Sequence, residues 1–188
     1  ASKDIGGFVI PGLDMLFPAG YEHVEYYAKG PWENYVDRQT GSFLGRYTTT
    51  VDDMFEMYPH PQSHGNRMGL RDLTLVNPEN GNAIKIETEG QVSFSLSHYD
   101  QRQFLVPELH PWDLERKDVV YATIDYMQRG LGNGSCGPGT EYQYYCPYGK
   151  VSHKLRISTA TGVDTGMDKV SVMECSVSYD AASQQVTF

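Results

Sequence analysis

Long apolar runs are missing from this chain. No window of about 18 apolar residues occurs in its 188 residues, so no segment reads as a membrane-spanning helix. Basic residues are few. Fifteen Lys and Arg stand against 24 Asp and Glu, a formal net charge of −9, and no basic run exists. That balance argues against a nucleic-acid partner, whose phosphates need clustered cations. Cysteine is scarce, with only Cys136, Cys146 and Cys175. An odd, widely spaced set is neither a disulfide framework nor a zinc site, although one pair could bridge in an oxidising compartment. The opening Ala1-Ser2-Lys3-Asp4 lacks the charged and apolar regions of a signal peptide. The compartment stays open between cytoplasmic and periplasmic or secreted. Long helical periodicity is also absent, which turns attention to strands.

Alternation of period two recurs. Val24, Tyr26 and Ala28 share one face, as do Val92, Phe94 and Leu96 opposite Ser93, Ser95 and Ser97. Val120, Ala122, Ile124 and Tyr126 line up, and so do Met173, Cys175, Val177 and Tyr179. Successive strand side chains point to opposite faces, so each run predicts one buried and one wetter face. Turn signals separate the runs. Asn77-Pro78-Glu79-Asn80-Gly81 predicts a hairpin, because Asn-Gly tolerates positive φ. Asp100 with Gln103 reads as a capping box on a short helical turn, ended by Pro107 and Pro111. Residues 129–139 carry five glycines and must form a loop. Residues 158–168 read as a linker or long loop, and residues 170–188 as a closing hairpin around Asp180-Ala181-Ala182-Ser183. Together these features predict an all-β, antiparallel chain with many turns.

The chemical candidates are modest. His60 and His64 have the i, i+4 spacing of a helical metal pair, but Pro59 and Pro61 make a helix improbable there. His98, His110 and His153 are scattered and read as structural. Gly130-Leu131-Gly132-Asn133-Gly134 lacks the Lys-Ser/Thr ending of a phosphate loop. Cys136 has no local catalytic partner pattern. Asp52 and Asp53 are adjacent and would face opposite ways in a strand. Glu33 and Asp37, among Asn34, Tyr35 and Arg38, read as a structural polar cluster. Trp32 and Trp112 are either sugar-stacking platforms or core and interface residues.

A sharper signal lies in Gly30-Pro31-Trp32-Glu33-Asn34-Tyr35-Val36-Asp37-Arg38. This string resembles the C-terminal, small-chain domain of family 2 β-galactosidases. Further blocks follow in the same order: Tyr58-Pro59, Gly65-Asn66-Arg67, Arg71-Asp72-Leu73, Phe94-Ser95-Leu96-Ser97-His98-Tyr99 and Leu109-His110. Thr123-Ile124-Asp125 then leads to Gly130-Leu131-Gly132 and Ser135-Cys136-Gly137-Pro138. The likeness covers residues 20–157.

The resemblance implies an antiparallel β-sandwich of the galactose-mutarotase-like supersandwich type, of which this chain is expected to be a partial domain. Residues 1–158 would be the C-terminal part of that domain, and residues 159–188 an extension. In the family the intact enzyme is a retaining glycoside hydrolase acting on terminal β-galactose. Its two catalytic glutamates lie on a separate (β/α)₈ barrel, so this chain alone is expected to be inactive. The barrel of the same polypeptide, a β-galactoside and a homo-oligomeric partner are the implied contacts. Family metal ligands lie elsewhere, and no cofactor is implied in this chain. A loop of this domain places a Trp beside galactose in related enzymes. The matching position is at or beside Cys136, which makes Asn133, Ser135 and Cys136 the implied substrate-side residues. Glu33, Asn34, Tyr35, Asp37, Arg38, Arg67 and Arg71 are expected to form a structural polar network. The competing reading is a stand-alone carbohydrate-binding module.

Overall fold

The computed structural model describes residues 11–106, 108–134, 136–147, 150–161, 171–180 and 185–187. Its strands are β1 (Gly12–Pro18), β2 (His23–Gly30), β3 (Phe43–Thr50), β4 (Arg67–Val76) and β5 (Ala83–Ser97). They continue with β6 (Val119–Asp125), β7 (Lys150–Ala160), β8 (Ser171–Asp180) and β9 (Gln185–Thr187). Every pairing is antiparallel. The described residues otherwise hold only short 3₁₀ turns, so the chain is all-β, as its alternating pattern predicts. Among them no helix is long and apolar enough to cross a membrane.

The strands form one branched sheet, ordered β3-β2-β4-β5 and then dividing. The length of β5 causes the division. Its first part, from Ala83 to Thr88, pairs with β7, and its last part, from Ser93 to Ser97, pairs with β6. One branch runs on through β8 and β9, and the other ends on β1. On the opposite edge β4 follows β5 through two register shifts between Arg67 and Asp72. Such irregularities bend a strand and raise its twist.

The core is one cluster drawn chiefly from β2, β4, β5 and β6. Val24, Tyr26 and Ala28 of β2 meet Leu70, Leu73 and Leu75 of β4. Phe94 and Leu96 of β5 join Val120, Ala122 and Ile124 of β6 in the same cluster. Tyr26 packs edge-on to Phe94 with ring centroids 5.3 Å apart. Burying one such side chain contributes roughly 1.5–3 kcal/mol. These are the faces that the period-two runs assign to the core.

Some local expectations hold and others change. The Asn77–Gly81 turn forms as a hairpin connection, with Gly81 at φ +71° and Asn77 N–H donating to Asn82 O at 2.8 Å. Asp100 does cap the 3₁₀ turn Gln101–Leu105, accepting from Arg102 N–H. Gln103 does not complete a capping box, because its amide is committed to both backbone groups of Glu115. Asp52 and Asp53 lie in a 3₁₀ turn, Asp52–Met54, rather than a strand. The expected linker begins inside β7, which extends to Ala160. Residues 162–168 of that linker lie outside the described residues. β8 pairs with β7 from Lys150 to Thr159, and β9 pairs with β8, so the closing segment joins the sheet edge. The turn residues 181–184 lie outside the described residues.

Candidate functional site

The GPWENYVDR string leaves the end of β2 and is pinned to the start of β4 by Asn34. That side chain is fully buried and fully used. Its amide donates to Lys29 O at 3.1 Å and Trp32 O at 3.0 Å, while its oxygen accepts from Met68 N–H at 2.9 Å. Asn34 N–H and C=O both bond Asn66. Glu33 turns inward and accepts from Tyr58 OH, from Tyr35 OH at 3.2 Å and from Gly65 N–H at 2.9 Å. Burial and the Glu33 contact push the Tyr58 phenol up to about 12, and burial raises Tyr35 further still. Both phenols therefore stay protonated and donate.

A tight turn follows, closed by paired backbone bonds between Tyr35 and Arg38 at 3.1 and 2.8 Å. It presents Asp37 and Arg38 to the glycine-rich loop at residues 130–139. Asp37 accepts from the N–H groups of Leu131, at 3.1 Å, and Gly132, at 2.8 Å. Arg38 donates to Gly132 O and to Asn133 Oδ1, the latter at 2.8 Å. The glycines are needed for this clasp. A Cβ on Gly130 would lie 2.8 Å from the Asp37 carboxyl carbon. Gly132 adopts φ +64°, and a Cβ there would come within 2.4 Å of Thr140 N. Beyond the clasp, Asn133 O accepts from Cys136 N–H at 3.1 Å and Gly137 N–H at 2.6 Å, folding the tip back. Cys136 is exposed at that tip. Beside the loop lies a concave space of about 410 Å³, bordered by Tyr35, Gln128, Arg129 and Leu131. The Arg129 guanidinium sits 4.1 Å over the Tyr145 ring and lends rigidity to its edge.

The expected polar network is thus divided among separate places. Glu33, Asn34 and Tyr35 anchor the turn, while Asp37 and Arg38 hold the loop. Arg67 donates to Gly65 O at 2.6 Å and Pro31 O at 3.2 Å. Arg71 bonds Gly69 O at 2.7 Å and lies over the Tyr27 ring, away from the loop. Of the implied substrate-side residues, Asn133 has its side chain held by Arg38, Cys136 is at the tip, and Ser135 lies outside the described residues. Trp32 and Trp112 are 72% and 77% exposed, so neither is a core residue of this chain. Trp112 stacks on His110 at 4.7 Å. His64 is buried between Phe55 and Phe104 with its pKa lowered by burial, and its stretch of chain is not helical.

One residue pair invites a catalytic reading that the sequence did not raise. Asp125 on β6 has its pKa raised to about 8, by burial first and then by the neighbouring Asp14. A protonated acid beside a carboxylate is the composition that glycoside hydrolysis uses. Access decides against it. Asp125 is 4% exposed, and its Oδ1 has no hydrogen-bond partner among the described residues. That oxygen is packed on Gly12, where an added Cβ would stand only 2.2 Å away. Asp125 and Asp14 border a space of only about 140 Å³, and with 4% of Asp125 exposed a glycosidic oxygen has little access to it.

The family described as β-galactosidase small chain matches residues 8–157. A β-galactosidase of Staphylococcus xylosus is 34% identical over 134 residues, which is 71% of this chain and 13% of that protein. One from Halalkalibacterium halodurans is 35% identical over 138 residues, covering 70% of this chain and 13% of its own length. Another from Actinobacillus pleuropneumoniae is 34% identical over 133 residues. The chain spans about an eighth of these relatives, and on the family match it belongs to the β-galactosidase small-chain family.

Proposed function

We propose that this chain is the non-catalytic small-chain β-sandwich part of a β-galactosidase, and that residues 130–139 form one wall of the sugar site in the intact enzyme. The intact enzyme hydrolyses terminal β-galactose with carboxylates supplied by another part of the polypeptide. The observation that carries this reading is the clasp. Two adjacent side chains of the string most diagnostic for the family, Asp37 and Arg38, spend their hydrogen bonds on fixing this loop from 94 and 95 residues away in sequence. A connector needs no such fixing, whereas a wall that positions a sugar does, because about 1 Å of misplacement can cost a factor of about a hundred in rate. The loop offers a glycine-lined edge and the Cys136 thiol side chain. It contains no carboxylate, histidine or lysine, which fits framing rather than acid–base chemistry.

The test uses the intact enzyme. Cys136→Trp should alter KM or the preference among several β-galactosides, with little change in melting temperature. Asp37→Ala should raise KM with the same substrates. Unchanged kinetics in both variants would leave the loop a connector. Binding of galactosides to this chain alone, measured by calorimetry, would instead favour a stand-alone carbohydrate-binding module.

A further inference from the structure

At the end of the molecule where Val119 begins β6, three segments distant in sequence bring metal-type ligands together. Glu22 immediately precedes β2, Asp52 opens the 3₁₀ turn after β3, and His98 follows β5. One donor atom from each lies within 4.8 Å of the other two. His98 is 2% exposed, whereas Asp52 reaches solvent. We propose that Glu22, Asp52 and His98 form a binding site for a divalent transition metal ion of the zinc class, one that staples these three segments.

The argument starts from the histidine ring. His98 Nδ1 lies 2.8 Å from Val119 O, and a carbonyl only accepts, so Nδ1 carries a hydrogen. A ligating histidine commonly uses its second nitrogen in this way, to fix tautomer and ring direction. Nε2 is left facing two carboxylates, with Glu22 Oε2 at 2.8 Å and Asp52 Oδ1 at 3.8 Å. His98 Nε2 and Glu22 Oε2, at 2.8 Å, need a proton or a metal ion between them, while Asp52 Oδ1 also accepts from Arg116. A proton on Nε2 serves one carboxylate at a time, whereas a metal ion serves both together with the imidazole. Zinc bonds of about 2.0–2.2 Å to nitrogen and oxygen place neighbouring tetrahedral ligands about 3.3–3.6 Å apart, and the two observed separations, 2.8 and 3.8 Å, lie on either side of that span.

The surroundings support the same use. Glu22 is held by its own backbone, whose carbonyl accepts from Val51 N–H at 3.0 Å. Arg116 donates to both oxygens of Asp52, to Oδ1 at 3.2 and 3.4 Å and to Oδ2 at 3.2 Å, and braces that carboxylate beside His98. Ligating carboxylates are characteristically braced in this way. The three protein ligands leave a fourth position on the side of exposed Asp52, where water completes the shell. An imidazole with two carboxylates suits zinc, cobalt or manganese better than a thiolate-seeking ion.

The test titrates cobalt(II), then zinc, into the chelator-treated 188-residue chain. The expected result is saturation at one ion per chain, with the visible bands of nitrogen and oxygen coordination and displacement by zinc. Glu22→Gln and Asp52→Asn each weaken binding by at least about tenfold. Zinc raises the melting temperature of the unmodified chain and not that of the variants. Both substituted side chains are partly exposed, and a circular dichroism spectrum like that of the unmodified chain confirms that each variant is folded. Three results would overturn the proposal: no saturable binding, a sulfur-to-cobalt charge-transfer band that places the ion on cysteine, or affinities unchanged in both variants.

Discussion

Replacing Asp125 with Asn should stabilise the protein at neutral pH, and by an amount that grows with pH. Asp125 holds its proton up to about pH 8 in the folded state, chiefly because burial opposes its charge. In the unfolded chain the same carboxyl releases its proton near its ordinary value of about 3.9. Between those values the folded state binds the extra proton, so stability falls as pH rises. Each pH unit in that window costs up to about 1.4 kcal/mol, or roughly 4 kcal/mol by pH 7. That is a large part of the roughly 5–15 kcal/mol that holds a domain folded. Asparagine has nearly the same shape and does not titrate. Urea unfolding of both proteins at pH 4, 5, 6, 7 and 8 isolates this one group, since other titrations cancel in the difference. The two should be close at about pH 4, with the variant leading increasingly to about pH 8. A constant difference across that range, or a variant less stable at pH 8, would refute the reasoning.

Other consequences are quicker to check. Asp37→Ala removes the acceptor for two loop amides, so Leu131 and Gly132 N–H should exchange with solvent faster while strand amides of β4 keep their protection. Gly132→Ala should destabilise by about 1–3 kcal/mol, because it forces a side chain into positive φ against Thr140; an unchanged melting temperature would argue that the loop has another conformation. Purified alone, the chain should release no nitrophenol from a nitrophenyl β-galactoside. Turnover that survives repurification and vanishes in Asp125→Asn would return the buried acid to candidacy.

Much of the sheet was legible in the sequence, because β2, β6 and the last part of β5 carry their core residues at every second position. The limits are equally physical. β6 was expected to have a wetter face, yet Thr123 and Asp125 are buried on it, since β1 lies alongside and Gly12 leaves room for a carboxyl. The β7 strand mixes Lys, Ser, Thr and Arg with few apolar residues, so its end resembled a linker. In the site, GPWENYVDR and the glycine-rich loop were each readable as important pieces. Their meeting was not readable, because nothing local in residues 37 and 38 indicates that their partners stand some 94 residues later. The grouping of Glu22, Asp52 and His98 was hidden for the same reason: each residue alone is an ordinary surface acid or a structural histidine.

The clasp between Asp37, Arg38 and the loop also bears on the order in which the molecule can be completed. A contact closed over so long a stretch of chain costs loop-closure entropy that two hydrogen-bonded side chains cannot recover by themselves. It can form only after β2, β4, β5 and β6 have assembled and brought both ends near each other. The loop thus takes its shape after those four strands have paired. A chain stalled before residue 130, or one with the β5 branch misregistered, would display the GPWENYVDR turn with nothing to hold. The clasped loop would exist only in molecules in which those four strands are already paired in register, making its shape a mark of a correctly paired sheet.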